Sequence, residues 1–321
     1  MGTIVAGLAS SHAFAFMEPE QWDEFREKNR RMLQQRSGVL PPVQDAVHDE
    51  DLAANRARYA RIRGGLDRLR DGLAQLRPDA LIVIGDDQDE NFTTANVPQI
   101  AVHVGAEFEL ATPLAQSRAR HRVHRELAMS ILEQGVREGF DIASLGSFTD
   151  DALKSHAHAQ VLAHVLPEAD IPVVLVFLNA IHHPAIEPSR CEEFGQLLSR
   201  VAQSRPEGER IAIYASGGWS HFTAGYPWAA YRGPHTHGAI DTAFDREVLQ
   251  LLEDGEGRKL AELNDADLLE HGEIELRAWI ALVGALGDRP ADFIVYEPFH
   301  RALMGMAVAA WTPQPAESRP S

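Results

Sequence analysis

Short apolar runs recur along the chain, and amphipathic helical patterns separate several of them. The runs of strand length lie at 3–9, 80–85, 100–104, 171–178, 210–215 and 292–296. Apolar side chains repeat every three or four residues between Tyr59 and Leu76, and similar stripes begin at Val123, Phe194 and Phe244. Strands that alternate with helices predict one large α/β domain, a three-layer α/β/α arrangement around a mixed, mostly parallel sheet.

Three segments interrupt this alternation. Residues 18–51 are charged and contain Gly38 and a Pro41-Pro42 pair, which indicates an inserted segment that covers the functional site. Residues 224–240 form a loop rich in aromatic, Gly and Pro residues directly after a predicted strand, a position that commonly carries specificity. The polar, Pro-rich tail at 313–321 is predicted to be disordered, so the catalytic domain is expected to span 1–312.

The composition narrows the classes of function. The chain has 47 acidic and 30 basic residues and a formal charge of −17, which argues against nucleic-acid binding. No apolar run approaches the roughly 20 residues that a membrane span needs, and the first residues lack the features of a secretory signal. The single cysteine, Cys191, cannot form an intrachain disulfide and fits a reducing compartment. We therefore expect a cytoplasmic protein without membrane or nucleic-acid partners.

Two predicted strands end in a Ser-His pair. The first apolar run leads into Ser10-Ser11-His12, and the run at 210–215 leads into Ser216-Gly217-Gly218-Trp219-Ser220-His221. Glycines allow a sharp turn after a strand, and α/β sheets bind ligands beyond the carboxyl ends of their strands. The two histidines are therefore expected to belong to one site.

Other segments add histidines and carboxylates. His156 and His158 begin a predicted helix, while Glu273 and Glu275 begin another. An acidic stretch at 86–90 directly follows the second strand. Imidazole and carboxylate groups bind Fe(II) and similar metals, whereas acids in the first turn of a helix also favour the helix dipole without a metal.

The order of these motifs over nearly the full chain resembles the class III extradiol ring-cleaving dioxygenases, typified by the catalytic subunit of protocatechuate 4,5-dioxygenase. The branch that includes 3-O-methylgallate dioxygenases is the most similar. The resemblance implies that His12 and Glu275 bind Fe(II), that His221 is the acid–base catalyst, and that His156 lies near the substrate and O2. It also implies a homo-oligomer and allows for a small partner subunit.

One position departs from the family pattern. Where the family usually reads Asn-Asp-His, this chain reads Asp86-Asp87-Gln88, so Gln88 stands in the place of the second histidine ligand. A neutral amide oxygen is a weaker donor than imidazole. Gln88 coordinates the metal itself, or a remote histidine (His48 or His300) or an acid (Asp87 or Glu90) completes the site; the sequence leaves these alternatives open.

The expected reaction is cleavage of a catechol- or gallate-type ring beside its hydroxyl pair, with O2 as co-substrate. A histidine with a pKa near neutrality suits the removal of a proton from the diol, which favours His221 as the base. Trp219 and the 224–240 loop are expected to contact the ring. If the substrate carries a carboxylate, a basic residue must bind it, and Arg190 and Arg232 are the two candidates, between which the sequence does not decide. Two alternatives keep the fold: different chemistry at an altered metal site, and a metal-free binding or regulatory protein.

Overall fold

The computed structural model describes residues 1–111, 118–148 and 155–312, and the predicted tail at 313–321 lies outside this part of the chain. The strands within it are β1 (Thr3–Ser10), β2 (Ala80–Asp86), β3 (Ile100–His103), β4 (Glu107–Ala111), β5 (Arg118–Arg122), β6 (Ile142–Leu145), β7 (Val173–Leu178), β8 (Arg210–Ser216), β9 (Phe293–Phe299) and β10 (Met304–Trp311). The α-helices are α1 (Trp22–Ser37), α2 (Leu52–Leu76), α3 (Arg125–Arg137), α4 (His156–Val165), α5 (Pro188–Ser204), α6 (Thr242–Glu253), α7 (Asp265–His271) and α8 (Leu276–Leu286).

Eight strands form one mixed sheet in the order β6-β3-β7-β2-β8-β1-β10-β9, and β4 and β5 form a separate two-stranded ribbon. The four central strands, β7, β2, β8 and β1, are parallel to their neighbours within this group. Helices α2 and α4 pack on one face of this centre, and α5 and α8 pack on the other. The prediction of a single three-layer α/β/α domain with a mostly parallel sheet is confirmed.

All six apolar runs of the sequence are strands in the structure. The strands that the runs did not predict have weaker patterns: β4 and β5 carry several charged residues, and β6 is a partly exposed edge strand. Strand β10 is buried but contains Gly305 and three alanines, which have low β propensity. Pairing with β1 and β9 therefore stabilises it more than its own residues do.

The carboxyl ends of the parallel strands meet at one edge of the sheet. Ser10 at the end of β1 pairs with Ser216 at the end of β8, and Asp86 at the end of β2 pairs with Leu178 at the end of β7. The segments that follow these strands therefore lie side by side. Within the described residues, no helix is both long and apolar enough to cross a bilayer.

Helices α5 and α8 pack closely because glycines lie where they meet. A Cβ atom on Gly195 would overlap the carbonyl oxygen of Ala281, and one on Gly284 would overlap that of Glu192. The colliding atoms belong to the backbone, so no side chain can move to relieve the overlap. The separation of these two helices is therefore fixed by the absence of side chains at the two positions.

We predict that Gly195→Ala destabilises the protein by about 1–3 kcal/mol, because the added methyl group overpacks this contact. Gly64→Ala is the matched control, since Gly64 lies on α2 and a methyl group added there would meet nothing within 4 Å. That change should stabilise the helix by about 0.5–1 kcal/mol. Chemical denaturation of both variants measures the two effects, and equal stabilities would contradict the prediction.

Candidate metal centre and active site

A cavity of about 260 Å³ lies at the carboxyl edge of the sheet. We call it the main cavity. Segments that follow three parallel strands and the first residues of two helices contribute its polar wall, which includes His12, Gln88, Glu90, His156, His221 and Glu275. The structure thus brings together the five residues named as metal ligands or catalysts from the sequence.

His12 is held as a neutral imidazole with one free nitrogen. Ser216 Oγ donates its hydrogen to the carbonyl oxygen of Ala157 at 2.6 Å, so it can only accept from His12 Nδ1, 3.3 Å away. Burial outweighs the neighbouring carboxylates and lowers the pKa of His12 to about 4. The lone pair of His12 Nε2 therefore faces Glu275 Oε2 at 3.5 Å. Two hydrogen-bond acceptors that face each other in a buried site call for a cation between them.

Glu275 directly precedes α8, and its carboxylate is fixed by donors from several segments. Oε2 accepts from the backbone N–H of Gly218 at 2.5 Å, and Oε1 lies 2.8 Å from Gln88 Nε2 and 3.2 Å from His221 Nε2. Burial opposes ionisation, but His12, His221 and these hydrogen bonds lower the pKa of Glu275 below its usual value. A Cβ atom on Gly217 would lie 2.5 Å from the Glu275 carbonyl oxygen, so glycine is needed for this approach.

Glu273 has a different environment from Glu275. Its Oε1 accepts from the backbone N–H of Ser220 at 2.9 Å, and the same N–H contacts Asp245 Oδ1 at 3.1 Å. Burial and the neighbouring Asp245 raise the pKa of Glu273 well above its usual value. Glu273 is not among the described residues that line the main cavity, whereas Glu275 is. Of these two acids, the structure therefore favours Glu275 as the metal ligand.

His221 presents one nitrogen to the main cavity. Its Nδ1 donates to the carbonyl oxygen of Trp219 at 2.8 Å, which leaves Nε2 facing Glu275. Burial is the largest influence and lowers the pKa of His221, but the charge and hydrogen bond of Glu275, the Trp219 carbonyl and the charge of Asp86 together raise it above its usual value. Trp219 itself packs in the core against Tyr296, with ring centroids 5.2 Å apart. Contrary to the expectation from the sequence, it is not among the described residues that line the main cavity.

His156 is paired with Glu90. The Nδ1 atom of His156 lies 2.9 Å from Glu90 Oε2, and the backbone N–H of His156 donates to the same oxygen at 3.0 Å. Burial opposes protonation, but the hydrogen bond and charge of Glu90, together with the charges of Asp86 and Glu275, raise the pKa of His156 to about 9. His158, the other histidine at the start of this helix, is buried between Ser155 Oγ at 2.6 Å and the Val176 carbonyl at 3.0 Å, and it is not among the described residues that line the main cavity.

Asp86, Asp87 and Gln88, at the end of β2 and directly after it, have three different environments. Asp87 accepts from the backbone N–H groups of Glu90, Asn91 and Phe92, each at 3.0 Å, and so closes a turn. Gln88 Nε2 contacts Asp86 Oδ2 at 3.2 Å in addition to Glu275. Asp86 is 3% exposed and is not among the described residues that line the main cavity, but its carboxylate lies behind the wall, within 4.8 Å of ligand atoms of His12 and His156. Its Oδ1 has no hydrogen-bond partner among the described residues. Burial and the charge of Glu275 raise the pKa of Asp86 to about 8.

The remote histidines do not approach this centre. Neither His48 nor His300 is among the described residues that line the main cavity. His48 is exposed, and His300 lies beside Glu50, to which its backbone N–H donates at 2.7 Å. Of the alternatives for the missing ligand, only Gln88 and Glu90 line the main cavity.

The donor set fits a divalent metal. His12, Asp86 and His156 offer ligand atoms that all lie within 4.8 Å of one another, and Glu275 adds a carboxylate beside His12. A neutral imidazole nitrogen, an ionised carboxylate and an unpartnered buried carboxylate oxygen are groups that a cation would satisfy. Asp86 is not among the ligands predicted from the sequence, although it begins the acidic stretch at 86–90 and ends a fully buried strand.

The inserted segment also contributes to the main cavity. Asn29, Met32 and Arg36, on one face of α1, line it. Asn29 Oδ1 accepts from the Ala224 N–H at 2.8 Å, and Arg36 Nη1 donates to the Ala224 carbonyl at 2.8 Å, so α1 is attached to the 224–240 loop. The sequence did not single out these residues, because they share their helix with many charged ones.

A buried histidine–carboxylate centre at the carboxyl edge of an α/β sheet defines a candidate metalloenzyme. The model of the family described as the catalytic LigB subunit of aromatic ring-opening dioxygenase matches residues 45–309, and the chain belongs to this family. This membership confirms the resemblance to the ring-cleaving dioxygenases that the sequence motifs indicated.

Sequence identity between this chain and individual relatives is low. Gallate dioxygenase of Pseudomonas putida is 27% identical over 169 residues, which cover 51% of this chain and 46% of that enzyme. The chain therefore matches less than half the length of that relative. The 2,3-dihydroxyphenylpropionate/2,3-dihydroxicinnamic acid 1,2-dioxygenase of Rhodococcus globerulus is 23% identical over 300 residues, covering 78% of this chain and 90% of that enzyme. The crystal structure of an uncharacterized protein from Escherichia coli K12 shares the fold, with a TM-score of 0.50, 13% identity and coverage of 95% and 99%.

We predict that Fe(II) or Co(II) stabilises the protein, by about 2.7 kcal/mol at a metal concentration of 100 times Kd, because it satisfies facing acceptors in the folded state only. His12→Ala and Glu275→Gln should each abolish the rise in Tm on metal addition. His48→Ala, a histidine change outside the main cavity, should keep it. Anaerobic thermal unfolding with and without metal measures the effect, and an unchanged response in His12→Ala would contradict this assignment.

Proposed function

We propose that the protein is an Fe(II)-dependent extradiol dioxygenase that cleaves a catechol- or gallate-type ring beside its hydroxyl pair. The observation that carries this proposal is the meeting of His12, Glu275, His221 and His156 in one small cavity. His12 Nε2 and the Glu275 carboxylate would hold the metal, together with a donor from the segment after β2. When bound, Fe(II) supplies adjacent open positions for the two diol oxygens and O2 and the redox chemistry between them.

His221 is the proposed acid–base residue. Its Nδ1 hydrogen bond to the Trp219 carbonyl fixes the ring so that Nε2 faces the main cavity. Nε2 would accept a proton from a diol hydroxyl as the substrate binds and return it during ring opening, the usual role of a positioned imidazole. A catechol-type ring needs this proton transfer, because its oxygens bind a metal best as anions.

His156 is proposed to stabilise negative charge. Glu90 holds its Nδ1, which leaves Nε2 directed away from that pair. Its raised pKa keeps the ring protonated at neutral pH, so that Nε2–H can donate to an anionic oxygen of the substrate. The donor is fixed before substrate arrives, so little reorganisation is needed when charge develops.

The proposed reaction balances without a further reductant. The ring C–C bond next to the hydroxyl pair breaks, and each of its two carbons gains one atom of O2. The ring carbons lose four electrons and O2 gains four. The hydroxyl-bearing carbon of the broken bond becomes a carboxyl group, and its neighbour becomes an aldehyde, or a second carboxyl group where it carried a hydroxyl as in gallate. The other hydroxyl of the pair stays on the open chain as an enol or ketone. We also infer a cytoplasmic homo-oligomer, in line with the single cysteine and the family resemblance.

The test is O2 uptake after anaerobic loading with Fe(II), with catechol, protocatechuate, gallate and 3-O-methylgallate as substrates. We expect one O2 consumed per diol and a coloured ring-opened product. His221→Ala should lower kcat by about 10²- to 10⁴-fold, the usual contribution of general acid–base catalysis. His300→Ala, outside the main cavity, should retain activity. A metal-loaded protein that consumes no O2 with any diol would exclude the oxidative function and favour other chemistry on the same fold.

A further inference from the structure

We propose that Asp86 supplies the third protein donor to the metal, and that Gln88 positions Asp86 and Glu275 instead of coordinating. The inference rests on the proposed function only in that the centre holds a metal. It assigns the donor set to His12, Glu275 and Asp86, with one imidazole and two carboxylates. It also explains how the centre can work without a histidine at position 88.

The first support is the isolation of the Asp86 carboxylate. Asp86 ends β2, is 3% exposed, and presents Oδ1 without a hydrogen-bond partner among the described residues. Burying an unsatisfied acceptor is costly, and such groups are rare unless a ligand meets them. Asp86 also shares a 4.8 Å cluster of ligand atoms with His12 and His156, and His12 Nε2 is the ring nitrogen that is not bonded to Ser216.

The second support is the orientation of Gln88. Its Nε2 contacts Glu275 Oε1 at 2.8 Å and Asp86 Oδ2 at 3.2 Å, so its two N–H groups serve two carboxylates. Two acceptors at these distances require the amide nitrogen on this side. The Oε1 atom points towards Gly225, where a Cβ atom would lie 2.9 Å from it. In this orientation the side-chain amide directs its N–H groups towards the two carboxylates and the metal site, and the lone pairs of Oε1 point away from it.

The third support is the chemistry of the two side chains at positions 86 and 88. The side chain at position 86 is an acid, and the one at position 88 is an amide. A carboxylate is a better donor to Fe(II) than a neutral amide, so the anionic residue is the stronger candidate of the two. Hydrogen bonds that orient ligating carboxylates are a common second layer of metal sites, and Gln88 provides them here.

The test is anaerobic titration of the full-length apo-protein with Co(II), read by its visible absorption bands and by calorimetry. Asp86→Ala should weaken Co(II) binding by about 100-fold or more and alter the bands, because a donor is lost. Gln88→Leu should weaken binding by about 10- to 100-fold, as for other residues that orient ligands, with the bands unchanged. Asp89→Ala is the matched control, since Asp89 lines the same cavity but is exposed.

Three results would overturn the assignment: equal losses in Asp86→Ala and Asp89→Ala, unchanged bands in Asp86→Ala, or altered bands in Gln88→Leu. The shape-preserving Asp86→Asn variant guards against misfolding, because it keeps the size of the side chain and an oxygen that accepts from Gln88. Its apo form should unfold at a Tm no lower than that of the wild type, although its metal affinity falls. The readout is metal binding, so a lack of dioxygenase activity would leave this result intact.

A separate observation concerns the substrate. We infer that Arg36 binds a carboxylate on the aromatic ring, which makes it a specificity-determining residue of the proposed function. Arg36 is the one Lys or Arg among the described residues that line the main cavity. It is exposed, so it lies where the main cavity opens to solvent, away from the buried donors. Its Nη1 contacts the Ala224 carbonyl at 2.8 Å, which fixes the guanidinium while other N–H groups stay available.

The two arginines considered from the sequence are engaged elsewhere. Arg190 contacts Glu193 and the Gly139 carbonyl, both at 2.6 Å, and lies over the Phe140 ring. Arg232 Nη1 donates to the carbonyl groups of its own loop, and neither arginine lines the main cavity as described. Asp89, Glu90 and Glu275 make the wall acidic, so a carboxylated substrate needs a cation at its far end.

The test compares protocatechuate with catechol, which lacks the carboxylate. Arg36→Met should raise KM for protocatechuate about tenfold, the loss of one charge-assisted hydrogen bond, with kcat and the KM for catechol unchanged. Arg232→Met, in the 224–240 loop that Arg36 contacts through Ala224, should change neither. An equal rise of KM for both substrates, or no rise, would overturn the role of Arg36. If the wild type cleaves neither diol, the proposed function fails, and anaerobic binding of the two diols to the Co(II) protein still tests Arg36.

Discussion

The arrangement of the site depends on one buried contact, in which the free nitrogen of His12 faces the ionised carboxylate of Glu275. Neither group can satisfy the other, because both are acceptors in the state that burial and the surrounding hydrogen bonds impose. The fold holds them together with fixed partners on their far sides, namely Ser216 for His12 and the Gly218 N–H for Glu275. The contact lowers the free energy of unfolding of the metal-free protein, and a cation that binds between the two acceptors would restore it.

The sheet makes that contact possible through its parallel register. Ser10 and Ser216 are paired, so His12 and the Gly217-Gly218 turn leave the sheet at the same level. The glycines let the chain of Glu275 approach, since a side chain at Gly217 would collide with it. Short polar segments after parallel strands thus converge without long loops, which explains why so small a cavity collects groups from distant parts of the sequence.

Much of this could be predicted from the sequence, because apolar runs and strand-end motifs depend on local pattern. The six runs and the Ser-His pairs depend on residue order alone. The choice between His156 and His158, by contrast, depends on Ser155 and the Val176 carbonyl, which hold His158 in the core. Helix α1 was missed because it buries only Trp22 and Leu33, although Gly38, at a φ of 80°, marks its end.

The charge distribution suggests an order of events at the site. The wall of the main cavity is acidic, and the whole chain carries a charge of −17, so the proposed substrate, an anionic diol, would approach against an unfavourable potential. Arg36 would offset this potential only at the opening. In the proposed function, a divalent cation neutralises the carboxylates at the buried end before the diol oxygens enter as anions, and it leaves His221 available as the base. Metal loading is therefore expected to precede substrate binding, and α1, joined to the 224–240 loop through Asn29 and Arg36, would then contribute the selective end of the cavity.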